Sequence, residues 1–168
     1  MQNNIQIATK LLKWYDKNAR DLPWRIPPKL SRAGVKPDLY HIWLSEIMLQ
    51  QTSVKTASTY YELFLLKWPT VLDLATAQPE LILEAWAGLG YYRRAHNLIR
   101  CAKIIVEDHH GVFPMDKKTL SNLPGIGAYT SAAILAIGHH KKANVIDGNI
   151  SRIISRLFAI DTPIPLSA

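Results

Sequence analysis

The chain is short of cysteine, of acidic side chains relative to basic ones, and of long apolar runs, and each shortage removes a class of protein. A single cysteine, Cys101, excludes an internal disulfide framework and any tetrathiolate metal or iron–sulfur site built from this chain alone. No stretch reaches the ~18 consecutive apolar residues of a membrane span. The start, Met1-Gln-Asn-Asn-Ile-Gln-Ile, lacks the basic head and apolar core of a secretion signal. These features predict a soluble intracellular protein with no membrane partner. Acidic residues number 13 against 20 Lys and Arg, a net charge of +7. That excess suits a polyanionic partner, because Lys and Arg displace counterions from phosphate; a merely solubilising surface is the ordinary alternative. Repeats and low-complexity tracts are also lacking, and 168 residues at 48% hydrophobic content suffice for one core.

What is there reads as all-helical. Ile5, Ala8, Leu11, Leu12 and Tyr15 recur at helical spacing until Asp21-Leu-Pro-Trp breaks the pattern. Residues 25–38 hold Pro27, Pro28, Gly34 and Pro37 among basic residues and predict an extended surface loop without helix. Further helices are expected from near Asp38, then at 54–68, 71–75, 80–86, 91–107, 117–122, 127–137 and 149–158. The strand-like piece 143–146 is too short for a sheet.

Three segments carry chemistry. Leu123-Pro-Gly-Ile-Gly-Ala-Tyr is a glycine turn between a short helix and an Ala-rich one. Gly125 and Gly127 let the backbone approach a phosphate, and the following helix offers free N–H groups and a positive dipole end. Such contacts position a protein on nucleic acid without reading its sequence. In Val145-Ile-Asp-Gly-Asn, Asp147 sits where a helix starts; aspartate there is ordinarily an N-cap, and the hairpin upstream adds weight to a catalytic role. Glu46 shares a helix stripe with Leu39, Ile42, Trp43 and Leu49. Burial disfavours its charge and would keep it protonated as an acid near neutral pH, a role ranked ahead of a structural ion pair or simple exposure.

Five motifs then occur in a fixed order: Leu22-Pro-Trp-Arg, Trp43-Leu-Ser-Glu-Ile-Met-Leu-Gln-Gln-Thr, Gly88-Leu-Gly-Tyr-Tyr-Arg-Arg-Ala, Leu123-Pro-Gly-Ile-Gly and Asp147-Gly-Asn. Together, over 11–160, they resemble the helix-hairpin-helix (HhH-GPD) DNA glycosylases, and within them the MutY-type adenine glycosylases of bacteria. The resemblance implies an all-α helix-hairpin-helix glycosylase fold acting on duplex DNA with adenine opposite 8-oxoguanine or guanine. It implies that Glu46 protonates the adenine at N7 and that Asp147 stabilises the cationic sugar. This matches the two-carboxylate logic of glycoside hydrolysis. Tyr129 matches a position that holds the second carboxylate or the sugar, with helix-start packing nearly as good an account. Relatives that nick the strand carry a lysine there; a tyrosine implies a monofunctional enzyme without a Schiff base.

By the same resemblance, Arg20, Trp24, Arg25 and Leu49 line the pocket for the flipped adenine, although Trp24 could equally be core. Gln51 and Tyr91 match wedge residues, and Thr52, Gly88, Leu89, Gly90, Leu123, Pro124, Gly125, Ile126, Gly127 and Asn149 fall in the DNA-binding motifs. Arg93, Arg94, Lys141, Lys142, Arg152 and Arg156 are candidate phosphate contacts, with a solvated surface as the alternative.

The resemblance also divides the chain, expected to be one catalytic region over 1–168. Residues 22–138 would form a central lobe with its hairpin at 117–138, and 1–21 with 139–168 part of a second lobe. Typical relatives continue with four cysteines binding a [4Fe–4S] cluster and a domain that recognises 8-oxoguanine. This chain is expected to be truncated before both and to bind no cofactor itself. A bacterial cytoplasmic monomer, associated with the nucleoid through DNA, is expected. Two other readings stay open: a related glycosylase for another mispaired base, such as thymine opposite guanine, and a DNA-binding remnant without catalysis.

Overall fold

The computed structural model describes residues 2–162, and side chains from Gln6 onward. The contribution of Ile5 to the first helical stripe, and the prolines of the terminal segment from Pro163, lie outside the described residues. Helix is the only regular secondary structure among the described residues, which include no strand; 143–146 runs as irregular backbone. Helices are α1 (Gln2–Asn18), α2 (Pro28–Arg32), α3 (Leu39–Leu49), α4 (Val54–Lys67), α5 (Val71–Thr76), α6 (Pro79–Ala85), α7 (Arg93–His109), α8 (Lys117–Asn122), α9 (Ala128–Ala133) and α10 (Gly148–Leu157).

Side-chain caps set many of the starts. Asp38 accepts from Tyr40 N–H at 2.7 Å ahead of α3, Ser53 from Thr56 N–H at 3.2 Å ahead of α4, and Asp116 from Thr119 N–H at 2.9 Å ahead of α8. Thr70 and Asp73 form a reciprocal capping box on α5. Each such cap satisfies an otherwise orphaned N–H and is worth ~1 kcal/mol.

Three expectations need correction. The 25–38 segment does hold a helix, the single turn and a half of α2, because Pro28 occupies its first position. There a missing N–H costs nothing and the fixed φ suits the helix. The expected single helix over 127–137 is instead α9 followed by one π-helical turn, Ile134–Gly138. That wider turn lets Gly138 come so close to α3 that an added Cβ would meet Leu39 Cδ2 at 2.2 Å and Ile42 Cδ1 at 3.2 Å. Helix α7 also starts two residues later than expected, since Tyr91 adopts a left-handed φ of 48° that no helix admits.

The core gathers around α3, α4 and α7. Trp43, Leu44, Met48, Tyr61, Phe64, Leu98 and Ile105 are fully buried, joined by Leu74, Ile82 and Trp86 from α5 and the α6 end. Phe64 meets Trp68 and Trp86 edge-on at 5.0 and 5.7 Å, and Trp43 meets Phe113 at 5.5 Å. Helix α5 lies along α7, and α3 lies against α4, α9 and the π turn. By contrast α10 buries none of its residues, and Leu11, Leu12 and Trp14 of α1 stand exposed.

Candidate active site

Capped by Asp38 and held by its buried face, α3 turns Glu46 out of the core into a cavity of about 590 Å³. Arg20, Trp24, Arg25, Leu49 and Tyr129 line the same cavity, so all four expected pocket residues meet the expected acid in one place. Trp24 lines the cavity and also packs inward, its ring meeting Tyr61 edge-on at 5.3 Å. Arg25 is fixed over the Tyr15 ring, 5.8 Å from its centroid, and donates to Arg20 O at 3.4 Å. The π turn contributes Ala136 and Ile137 to the wall.

Burial pushes the Glu46 carboxyl above the usual carboxylate range. The nearby Tyr129 hydroxyl works against that shift by stabilising the carboxylate, and the Asp147 charge adds to it. Tyr129, one residue into α9, has its own hydroxyl pushed up to about 12 by burial and by the Glu46 and Asp147 carboxylates. Glu46, Tyr129 and Asp147 therefore share one electrostatic neighbourhood although three separate segments supply them. Asp147 is also the N-cap, accepting from Ile150 N–H at 2.7 Å through one oxygen. Its second oxygen accepts from Asn149 Nδ2 at 3.2 Å, and Arg152 steadies Asn149 through a bond of the same length to its Oδ1. Capping and proximity to Glu46 are compatible uses of one carboxylate.

In the hairpin between α8 and α9, Gly125 has φ +77° and would bring a Cβ to 3.0 Å from Asn97 Cβ on α7. Gly125 and Gly127 are exposed, whereas Leu123 and Ile126 are buried, so those two anchor the turn and offer only backbone outward. Leu89 is likewise core, between the exposed Gly88 and half-buried Gly90. Gln51 and Tyr91 are exposed and both left-handed, with φ 54° and 48°; Thr52 is half-buried beside Gln51.

Among the candidate phosphate contacts, Arg94 is misplaced by the sequence reading. It is only 8% exposed, and its guanidinium is spent on backbone carbonyls of the α3 end and the α6–α7 turn. Lys141 donates to Met115 O at 2.6 Å, while Arg93, Lys142, Arg152 and Arg156 are exposed.

The sequence gives no direct signal for several wall residues. Tyr15 and Asp16 of α1, Ser31 and Arg32 of the unexpected α2, and His140 all line the cavity. Arg32 pairs with Asp16, tying α2 to α1 across its rim. Leu22 and Ser45 line the cavity as well, and both stand within recognised motifs.

The chain belongs to the HhH-GPD superfamily of base excision DNA repair proteins, whose family model matches residues 44–166. Its relatives include human adenine DNA glycosylase, 45% identical over 89% of this chain and 28% of that protein. The Arabidopsis thaliana adenine DNA glycosylase is 41% identical over 95% and 28%. That of Mycobacterium tuberculosis is 40% identical over 88% and 46%. The chain thus spans between about a quarter and half of the length of these relatives. A thermostable thymine-DNA glycosylase superposes with a TM-score of 0.79 at 27% identity, covering 92% of this chain and 67% of that one. Endonuclease III in a non-covalent DNA complex superposes at 0.74 with 17% identity, over 94% and 69%, and shares the fold.

The [4Fe–4S] cluster associated with such glycosylases does not fit the residues present. Cys101 is fully buried in α7, and no group of three or more His, Cys, Asp or Glu gathers among the described residues. No described helix is long and apolar enough to cross a membrane.

Proposed function

We propose that the chain is the catalytic unit of a monofunctional adenine DNA glycosylase, hydrolysing the N-glycosidic bond of adenine opposite 8-oxoguanine or guanine in duplex DNA. One observation carries the reading: a carboxyl with a raised pKa, Glu46, faces a cavity of about 590 Å³, roomy enough to admit a nucleobase, and feels the charge of a second carboxylate, Asp147. Environments that keep one carboxyl protonated beside an ionised partner define an acid and a cation stabiliser. Protonated Glu46 delivers its proton to adenine N7, so the base departs neutral. The oxocarbenium-like sugar left behind meets Asp147, and water completes the hydrolysis. Tyr129 interacts with both carboxyls, and its hydroxyl, by stabilising the carboxylate, limits how far the Glu46 pKa rises. As Tyr129 offers no amine, the strand is left uncut.

The base reaches the cavity by rotating out of the helix. Gln51 and Tyr91 fill the gap, Trp24 and Leu49 enclose the base, and Arg20 and Arg25 stand at the rim. Thr52, Gly88, Gly90 and the hairpin backbone of Pro124, Gly125 and Gly127 grip phosphates, with Asn149 steadying Asp147. The central lobe spans 22–138, with 1–21 and 139–168 contributing to a second.

Greater identity to adenine glycosylases than to the thymine glycosylase supports adenine as the released base. The deciding experiment is single-turnover base release from duplexes carrying A opposite 8-oxoguanine, A opposite G, or T opposite G, followed by alkali to reveal abasic sites. Adenine release that Glu46→Gln and Asp147→Asn abolish supports the proposal. Thymine release redirects it to the mismatch relative, and salt-sensitive duplex binding without release of any base leaves a DNA-binding remnant.

A further inference from the structure

Arg94 is buried with its charge facing neutral oxygens, an expensive arrangement that calls for a reason. One guanidinium nitrogen donates to Ile47 O and Met48 O at 3.1 Å, to Gln50 O, and to Thr52 Oγ1 at 3.2 Å. The other donates to Leu89 O at 3.1 Å and Gly90 O at 3.3 Å. A single planar fork thereby joins the α3–α4 turn to the α6–α7 turn, which are some forty residues apart in sequence.

The choice of carbonyls is informative. Gln50 O and Gly90 O belong to the peptide planes that precede Gln51 and Tyr91, the two exposed residues held at left-handed φ. The orientation of a peptide plane fixes φ of the residue that follows it. Non-glycine residues stay in that region only where their surroundings over-determine them. Trp86 Nε1 donates to the same Gly90 O at 3.0 Å, and the guanidinium lies over the Trp86 and Tyr91 rings at 5.3 and 5.6 Å. Three residues further along the same face of α7, Asn97 abuts Gly125 of the hairpin.

We propose that Arg94 is a positioning residue for base extrusion: it locks Gln51 and Tyr91 into one rigid two-pronged wedge and, through α7, sets that wedge against the hairpin. The inference rests on the glycosylase reading above. Arg94 touches no substrate; its work is to keep both prongs in their strained geometry before DNA arrives, so that binding energy drives the base out and does not go into ordering loops. Lysine cannot replace it, because one ammonium offers three donors at a point and cannot span both turns.

The test uses duplexes with 2-aminopurine, a fluorescent adenine analogue quenched by stacking, opposite guanine, together with single-turnover adenine release. The wild-type chain is expected to raise the fluorescence on binding. Arg94→Lys, with the charge kept, is expected to bind duplex comparably yet lose that rise and slow release by on the order of a hundredfold. Thr52→Val removes one acceptor from the fork; with duplex titrated to saturation, so that any lost phosphate contact of Thr52 does not lower occupancy, it is expected to reduce the rise partially while melting like wild type. A folded Arg94→Lys with the wild-type fluorescence rise overturns the proposal, as does an undiminished rise in Thr52→Val should the lysine variant fail to fold. A wild-type chain that neither extrudes nor releases the base sinks the glycosylase reading, and the wedge role with it. Extrusion intact in wild type and in both variants sinks the wedge role alone.

Discussion

Glu46 is held in a state that folding alone would not choose. Its surroundings raise its pKa, whereas in the unfolded chain it titrates in the ordinary carboxylate range. Between those values the folded protein keeps a proton that the unfolded one has released, so stability falls as pH rises through the window and the full penalty persists above it. Glu46→Gln carries no such penalty. It should therefore melt above wild type at neutral pH and converge with it under acid, while losing adenine release by roughly 10²–10⁴-fold. Melting temperatures of both chains across pH check the sign; a variant less stable at pH 7 would mean that the carboxylate is satisfied where it sits. The rate itself should decline with rising pH as Glu46 gives up its proton. Because the Tyr129 hydroxyl lowers the Glu46 pKa, Tyr129→Phe should move that decline to higher pH. An unshifted profile would detach Tyr129 from the acid. Glu46 was legible as a carboxyl on an apolar helix stripe, and Asp147 as a cap; their electrostatic interaction was not, since it depends on where the fold places α3, α9 and the N-cap of α10 relative to one another.

At the scale of elements, the hairpin and the π turn divide the work of presenting the site. Sequence punctuation revealed the hairpin, because a glycine turn between two helical patterns is a local signal. It could not reveal the π turn, whose 127–137 stretch reads as continuous helix and departs from it only where Gly138 nestles against Leu39 and Ile42. Proline density likewise suggested loop at α2, although Pro28 at a first helical position favours helix. Arg94 was misread for a related reason: arginine beside a glycine turn suggests phosphate, and only the tertiary arrangement turns it inward. Two substitutions probe these elements. Gly125→Ala places a Cβ at positive φ and against Asn97, which costs ~1–2 kcal/mol from backbone conformation alone. If the turn shifts enough to lose one phosphate contact, duplex affinity should also fall by on the order of tenfold, and equally for matched and mismatched duplexes. Equilibrium binding to both duplexes measures it; a loss confined to the mismatch would place Gly125 in base recognition. Gly138→Ala must push Leu39 aside and should destabilise by roughly 1–3 kcal/mol, read from urea unfolding.

Across the whole molecule, positive charge and packing are unevenly spread. The net +7 and the exposed Arg93, Lys142, Arg152 and Arg156 point to salt-sensitive binding. About four neutralised phosphates would weaken duplex affinity by on the order of a hundredfold between ~50 and ~200 mM salt. A nearly flat dependence would assign these residues to solubility alone. Packing is dense around α3, α4 and α7 and thin at α1 and α10. Ile153, Leu157 and Trp14 are all more than half exposed, so little apolar burial resists local opening there. Yet Asp147 is the N-cap of α10, which makes it the most weakly supported member of the proposed site. Hydrogen exchange should accordingly find the amides of α3 and α7 opening only with global unfolding, and those of α10 exchanging much faster in the free chain. Binding a duplex with an uncleavable adenine analogue opposite guanine should slow α10 exchange, since the proposed binding mode puts sugar and phosphate groups beside Asp147 and the α10 N-terminus. Equal protection of α10 and α3 in the free chain would show that its apolar face is already covered, and the dependence of that protection on concentration would show whether a second copy covers it.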